Sequence, residues 1–319
     1  MSELIRVENL KKYFPVKGGM FEEKRFVHAV DNVSFTVDRG ETLGFVGESG
    51  CGKSTCGRLL LRLLEPTSGK VFFEGKDIFE LSSNEMRELR RSMQIVFQDP
   101  MACLNPRMRV KDIVTEPITC FEKLSEKDKN EKAMELMRIV GLSPEMINRY
   151  PHEFSGGQRQ RIGIARAISN RPKFIVCDEP VSALDVSVQS QILNLLQDLQ
   201  DEYALTYVFI AHGLNVIKHI STRIAVMYLG SIVEIGTRDE VFQGRLHPYT
   251  QALFSAIPIP DPTVERSRIL LKTDIANPTN IPKGCRFASR CWCKKPICDE
   301  VAPELKEVQP GHFCACHLI

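Results

Sequence analysis

At 319 residues, with 43% hydrophobic and 26% charged side chains, the chain is long enough to bury a large core and to hold two or more structural units. Forty-two basic against forty acidic residues leave a formal charge of +2, which argues against a broad nucleic-acid-binding field. No apolar run approaches the roughly 18 residues that cross a bilayer. The first residues, Met1 to Arg6, are charged early and carry no apolar signal core, so the expectation is a protein that stays in the cytosol. Any membrane spans it serves must come from other chains.

Residues 1 to about 98 read as short strands, with alternating apolar positions over Asn32 to Val37 and a buried run over Thr42 to Val46. That run leads into Gly47 to Thr55 (GESGCGKST), which fits the phosphate-loop pattern G-x-x-x-x-G-K-[ST]. Thr55 to Leu64 follows with helical apolar spacing. In a strand–loop–helix context the glycines let the backbone curl with its N–H groups inward, and the helix N-terminus adds positive potential for phosphate. Gly47, Ser49, Gly50, Cys51, Gly52, Lys53, Ser54 and Thr55 therefore form a candidate nucleotide site. Lys53 would reach the β- and γ-phosphates, and the Ser54 hydroxyl a magnesium ion. Cys51 reads as a tolerated small side chain.

A strand over Met93 to Phe97 precedes Gln98. From about 101 to 155 the pattern turns helical, as in Glu131 to Val140. Ser155-Gly-Gly-Gln158 is a capping box at the start of a helix through Ile168, and on its own could do no more than that. Lys173 to Asp178 is an apolar strand ending in an acid, with Glu179 next; a carboxylate one residue past a strand can face water rather than metal. Leu205 to Ala211 is a further strand, followed by His212. Residues 173 to 258 alternate strands and helices, which implies a parallel sheet. Pro258, Pro260 and Pro262 mark a linker.

Phe154-Ser-Gly-Gly-Gln-Arg-Gln-Arg-Ile-Gly-Ile-Ala-Arg-Ala167, together with the phosphate loop, resembles the ABC (ATP-binding cassette) ATPases. The resemblance implies an α/β P-loop NTPase core with an antiparallel β subdomain and an inserted helical subdomain at about 101–155, the whole occupying residues 1–258. It also implies roles: Asp178 holds magnesium through water, Glu179 polarises the attacking water, Gln98 contacts magnesium, and His212 contacts the γ-phosphate. Ser155, Gly156, Gly157 and Gln158 would bind the γ-phosphate of ATP held by a different subunit, and Asp185, in Ser182-Ala-Leu-Asp185, would couple the two sites. Tyr13 would stack on adenine, with a strand-edge aromatic as its plainer reading. Gly213 stands where the family usually has Asp, a change expected to cost helix-cap stability.

The segments Phe97 to Pro106, Glu116-Pro117, Arg149 to Glu153 and His247 to Leu253 look like the oligopeptide/dipeptide permease ATPases, a pattern that nickel and glutathione importers share. Within that family Gln98 and the residues after it lie where a coupling helix of a membrane subunit docks; ordinary subdomain packing is the alternative. The implied partners are two integral membrane permease subunits, a second ABC ATPase (itself or a sister) and, indirectly, an extracytoplasmic substrate-binding protein. Nucleic acid is not among them. The expected location is the cytoplasmic face of the cell membrane. A soluble ABC ATPase acting on DNA or ribosomes is disfavoured, because those usually carry two cassettes or a long coiled-coil insertion. A redox sensor with a subsidiary ATPase is a third reading.

Six of the eleven cysteines, at 285, 291, 293, 298, 314 and 316, fall in residues 259–319, a Cys-rich extension. Without a signal peptide, metal binding is favoured over disulfides. Cys285, Cys291, Cys298 and Cys316 match the permease-ATPase tail pattern, with Gly284 and His317 also in place. Four thiolates suit an iron–sulfur cluster or a tetrahedral zinc, and the resemblance implies a [4Fe–4S] cluster.

Overall fold

The computed structural model describes residues 2–16, 25–256, 269–271 and 278–319. The linker at Pro258, Pro260 and Pro262, and with it the expected boundary at 258/259, lies outside the described residues. The chain divides into two compact units, one of residues 1–79 with 212–319 and one of residues 80–211.

The first unit opens with β1 (Glu3–Pro15) and β2 (Phe26–Asp38), an antiparallel pair longer than the short strands expected. Repeated register shifts along β1, with Asn9 and Asn32 at positive φ, let two thirteen-residue strands curl over the core. After β3 (Thr42–Val46) and α1 (Lys53–Leu60), β4 (Ser68–Phe73) and β5 (Lys76–Asp77) complete a four-stranded antiparallel sheet in the order β2-β1-β4-β5. Phe35 of β2 meets Phe45 of β3 edge to face at 5.3 Å between ring centroids. That contact seats the antiparallel layer on the strand that delivers the phosphate loop.

The second unit contains α2 (Ser83–Leu89), β6 (Met93–Val96), α3 (Pro100–Cys103), α4 (Val110–Thr119), α5 (Glu126–Ile139), α6 (Gly156–Ile168), β7 (Phe174–Asp178), α7 (Val186–Tyr203) and β8 (Thr206–Ile210). β6, β7 and β8 run parallel, pairing Ile95 with Val176 and Val176 with Val208. Every residue of β7 and β8 is buried, as expected of parallel strands covered on both faces. Polar side chains on and just after α6 hold the other helices by their carbonyl groups. Arg161 donates to Val140 O at 2.7 Å, Arg166 to Cys103 O at 2.8 Å and Asn170 to Pro117 O at 2.9 Å.

Back in the first unit come α8 (Leu214–Ile220), β9 (Arg223–Tyr228), β10 (Ser231–Thr237), α9 (Arg238–Gly244) and α10 (Pro248–Ser255), then, in the tail, α11 (Ile297–Glu300), β11 (Lys306–Gln309) and β12 (His312–Cys314). β9 lies parallel to β3, and β10, β12 and β11 follow antiparallel, so the tail ends as a hairpin stitched to the sheet edge. Gly213 is the N-cap of α8 and supplies no side-chain cap, the local cost expected of this residue.

A buried polar knot joins hairpin, strand and helix. Glu234 of β10 accepts the backbone N–H groups of Leu246 and His247 at 3.0 and 2.9 Å and meets His312 Nε2 at 2.9 Å. His247 Nδ1 caps α10 by accepting from Tyr249 N–H, and burial depresses its pKa to about 4. A depressed histidine stabilises the fold above its unfolded pKa of 6.5 and loses that contribution as pH falls towards 4. Urea unfolding is therefore expected to show a loss of roughly 3 kcal/mol across that window from this group. His247→Asn keeps a capping acceptor without the titration, so its acid limb should be flatter; parallel limbs for parent and variant would refute the assignment.

Candidate functional site

The phosphate loop has the geometry its sequence demands. Gly47 has φ +152° and Gly52 φ +107°. A Cβ on Gly47 would fall 2.2 Å from Met227 O, and one on Gly52 1.9 Å from Ala29 O. Only glycine fits at either place. Lys53 is 4% exposed, and its Nζ donates to Gly47 O at 2.8 Å and Glu48 O at 3.1 Å, so the loop curls round its own lysine. The same Nζ also donates to Cys51 Sγ at 3.7 Å. α1 begins at Lys53 with no side-chain cap, leaving its first turn directed at the loop that Ser49, Gly50, Ser54 and Thr55 share.

Tyr13 sits on β1 with its ring 4.1 Å from that of His28, and its hydroxyl donates to Asp31 at 2.5 Å. Burial, first, and this bond to a carboxylate push its pKa to about 12. Asp31, which also accepts from Arg286 in the tail, carries no motif that would single it out.

In the second unit the structure brings Gln98 and Glu179 together: Gln98 Nε2 donates to Glu179 Oε2 at 2.7 Å across 81 positions of sequence. Asp178 closes β7 and is 4% exposed; Glu179 is 6% exposed and has φ +51°, left-handed for a side chain other than glycine. Its own N–H donates to Ile210 O at 3.0 Å, which fixes the turn. Backbone strain held in place at a buried acid is a mark of functional geometry.

Ser155 begins α6 as the expected capping box: its Oγ accepts from Gln158 N–H at 3.3 Å, while its N–H donates to Gln158 Oε1 at 3.0 Å. The same segment packs on the stretch around Asp185. A Cβ on Gly157 would meet Val188 at 2.5 Å, and one on Gly156 Leu184 at 3.6 Å. Asp185 caps α7 by accepting from Val188 N–H at 2.9 Å, a bond that lowers its pKa, and beside it Val186 is 79% exposed. His212 is exposed just beyond β8.

Among the described residues, no group of three or more His, Cys, Asp and Glu side chains is placed to hold a metal ion. The four thiols sit on separate pieces: Cys285 and Cys291 on either side of a short turn, Cys298 in α11, Cys316 after β12. They are near enough that ionising one would raise the pKa of the next. Burial pushes the Cys285 thiol up to about 11 and raises Cys291 and Cys316. Cys298 Sγ accepts from Lys295 N–H at 3.5 Å, and His317 is engaged with Val301 O at 2.8 Å.

Comparison with known proteins settles the family. Residues 30–182 match the ABC transporter family, and residues 233–298 match the oligopeptide/dipeptide transporter C-terminal region. The chain is 52% identical over 319 residues to the oligopeptide transport ATP-binding protein AppF of Bacillus subtilis, covering 99% of this chain and 97% of that one. The chain belongs to the oligopeptide/dipeptide ABC transporter ATP-binding proteins. The oligopeptide transport ATP-binding protein OppF of Salmonella typhimurium is 51% identical over 95% of this chain and 92% of its own length. For the dipeptide transport ATP-binding protein DppF of Haemophilus influenzae the figures are 50%, 98% and 96%. Among solved structures, the ATP-binding cassette MJ0796, determined as a dimer bound to ADP and Pi, covers 74% of this chain and 99% of its own at 30% identity and a TM-score of 0.65. CbiO1 of Clostridium perfringens, part of the ABC transporter complex cbiONQ, has the same TM-score at 27% identity, covering 77% and 92%.

Proposed function

We propose that this chain binds and hydrolyses ATP to power the import of oligopeptides or dipeptides. The carrying observation is the phosphate loop, with glycines that admit no Cβ and a buried lysine at its centre; the substrate class rests on the relatives' names. No helix among the described residues is long and apolar enough to cross a membrane. The relatives' names as transport ATP-binding proteins support work with two integral membrane permease subunits, at the cytoplasmic face of the membrane, fed indirectly by an extracytoplasmic substrate-binding protein.

Residue roles follow. Lys53 and the loop N–H groups other than that of Glu48 take the phosphates, and Tyr13 faces the adenine. A bound magnesium ion would neutralise phosphate charge; the Ser54 hydroxyl, the Asp178 carboxylate through water and the Gln98 amide are hard oxygen donors suited to it. Glu179 polarises the attacking water and takes its proton as the water oxygen bonds to the γ-phosphorus and the bond from that phosphorus to the β–γ bridging oxygen breaks, ADP leaving with that oxygen; Gln98 orients the carboxylate. His212 contacts the γ-phosphate. The iron–sulfur reading of the tail is carried by cysteine spacing and family resemblance alone and enters no step.

The exposed pair of segments at Ser155–Gln158 and Asp185–Val186 supports a face that meets a second ATPase subunit, itself or a sister. A groove of about 520 Å³ in the second unit, lined by Arg87, Phe97, Glu116, Phe121 and Arg166, supports a seat for the coupling helix of a permease subunit.

Glu179→Gln keeps shape and loses charge, so ATP binding should survive while turnover falls by roughly 10²- to 10⁴-fold; Lys53→Ala should instead weaken binding itself. Hydrolysis at the parent rate by Glu179→Gln would overturn the role of Glu179. Ser155→Arg should leave ATP binding by the monomer near parental and abolish ATP-dependent dimer formation, read by light scattering; dimerisation at the parent level would remove Ser155 from the shared face.

A further inference from the structure

Two arginines lie in the interval between Cys285 and Cys291, and both reach out of the tail. Arg290 places Nη1 2.7 Å from Glu48 Oε2 and Nη2 2.9 Å from Glu48 Oε1, a two-pronged pair. Glu48 is the second residue of the phosphate loop, next to Gly47. The Arg290 side chain is 6% exposed and that of Glu48 24%, so water screens the pair little. Nη1 also donates to the Tyr228 hydroxyl at 3.3 Å, and the guanidinium lies 5.8 Å over the Tyr228 ring. Arg290 Nε is buried with no partner among the described residues, so the side chain is held by its fork and its packing. The Glu48 N–H donates to the Tyr249 hydroxyl at 2.9 Å. Side chain and backbone of this loop residue are therefore both held from outside the loop.

Arg286 makes a parallel contact further along. It donates to Leu229 O and to Asp31, the acceptor of the Tyr13 hydroxyl. Phe287, 1% exposed and lying between the two arginines in sequence, packs against Tyr228 and Tyr249 at 5.4 and 5.5 Å between centroids.

A carboxylate on a loop that receives a polyanion opposes binding unless it is neutralised, and the opposition grows with the charge of the ligand. A pair serving only to fasten the tail could sit anywhere on the sheet; this one falls on the loop. We propose that Arg290 is a positioning residue for nucleotide: by neutralising and holding Glu48, the tail sets the affinity of the phosphate loop for ATP. Arg286, through Asp31, gives the same segment a hold on Tyr13. The inference rests on the loop being the ATP site.

The test measures binding of a non-hydrolysable ATP analogue and of ADP, each with magnesium, to the full chain. Arg290→Ala should weaken the ATP analogue by about tenfold, an ordinary coupling between adjacent groups, and ADP by less, because it carries one negative charge fewer. Adding Glu48→Gln to that variant should return the analogue to within about twofold of parent, since the unpaired charge is gone. If Arg290→Ala gives no folded protein, Arg290→Lys, which keeps the charge and loses the fork, should show a smaller loss in the same order, again relieved by Glu48→Gln. Unchanged affinity in a folded variant would overturn the proposal. So would an equal loss for both nucleotides that Glu48→Gln does not relieve, because the arginine would then be packing the tail only. Failure of the ATP-site reading looks different: Lys53→Ala would bind nucleotide as tightly as the parent.

Discussion

The structure depends on how closely the phosphate loop approaches its neighbours. Gly47 and Gly52 rest on the carbonyl oxygens of Met227 and Ala29, at separations no Cβ could occupy. Met227 belongs to β9 and Ala29 to β2, so the loop is wedged between the parallel sheet and the antiparallel one. Both strands must be in place for the loop to hold its curl round Lys53, and the burial of β3 and β9 and the Phe35–Phe45 contact supply that condition. Preorganised N–H groups bind phosphate without reorganising when it arrives, which is where such a loop gains its affinity.

The tail extends the same constraint. Its hairpin is paired to β10, its buried histidine meets Glu234, and its arginines end on Glu48 and Asp31. A segment that ordinary burial would make only an appendage is thereby tied to the phosphate loop and to the partner of Tyr13. In the second unit, Gln98, Glu179 and the turn bonded to Ile210 form a comparable fixed group.

Much of this was legible from residue order. Thr42–Val46, Phe174–Asp178 and Thr206–Ile210 are apolar runs that buried parallel strands require, and Gly47 to Thr55 fixes strand, loop and helix together. The Ser155 box announced its helix start because the cap is local, three residues long. What stayed hidden was long in range. The Arg290–Glu48 pair spans 242 positions and the Gln98–Glu179 bond 81, and no periodicity encodes either. Bulges in β1 blurred the alternation that would have shown its full length. Cysteine spacing suggested a metal site, yet spacing says nothing of where a turn, a helix and a hairpin place four sulfurs.

Hydrogen–deuterium exchange of the full chain with and without ATP and magnesium tests most directly whether loop and tail act as one body. Ligand binding to a preorganised, tail-braced loop should slow amide exchange in residues 47–55 and, together with them, in residues 286–291, which lie outside any nucleotide contact proposed for this chain. Slowed exchange in the loop with unchanged rates in the tail would contradict the account.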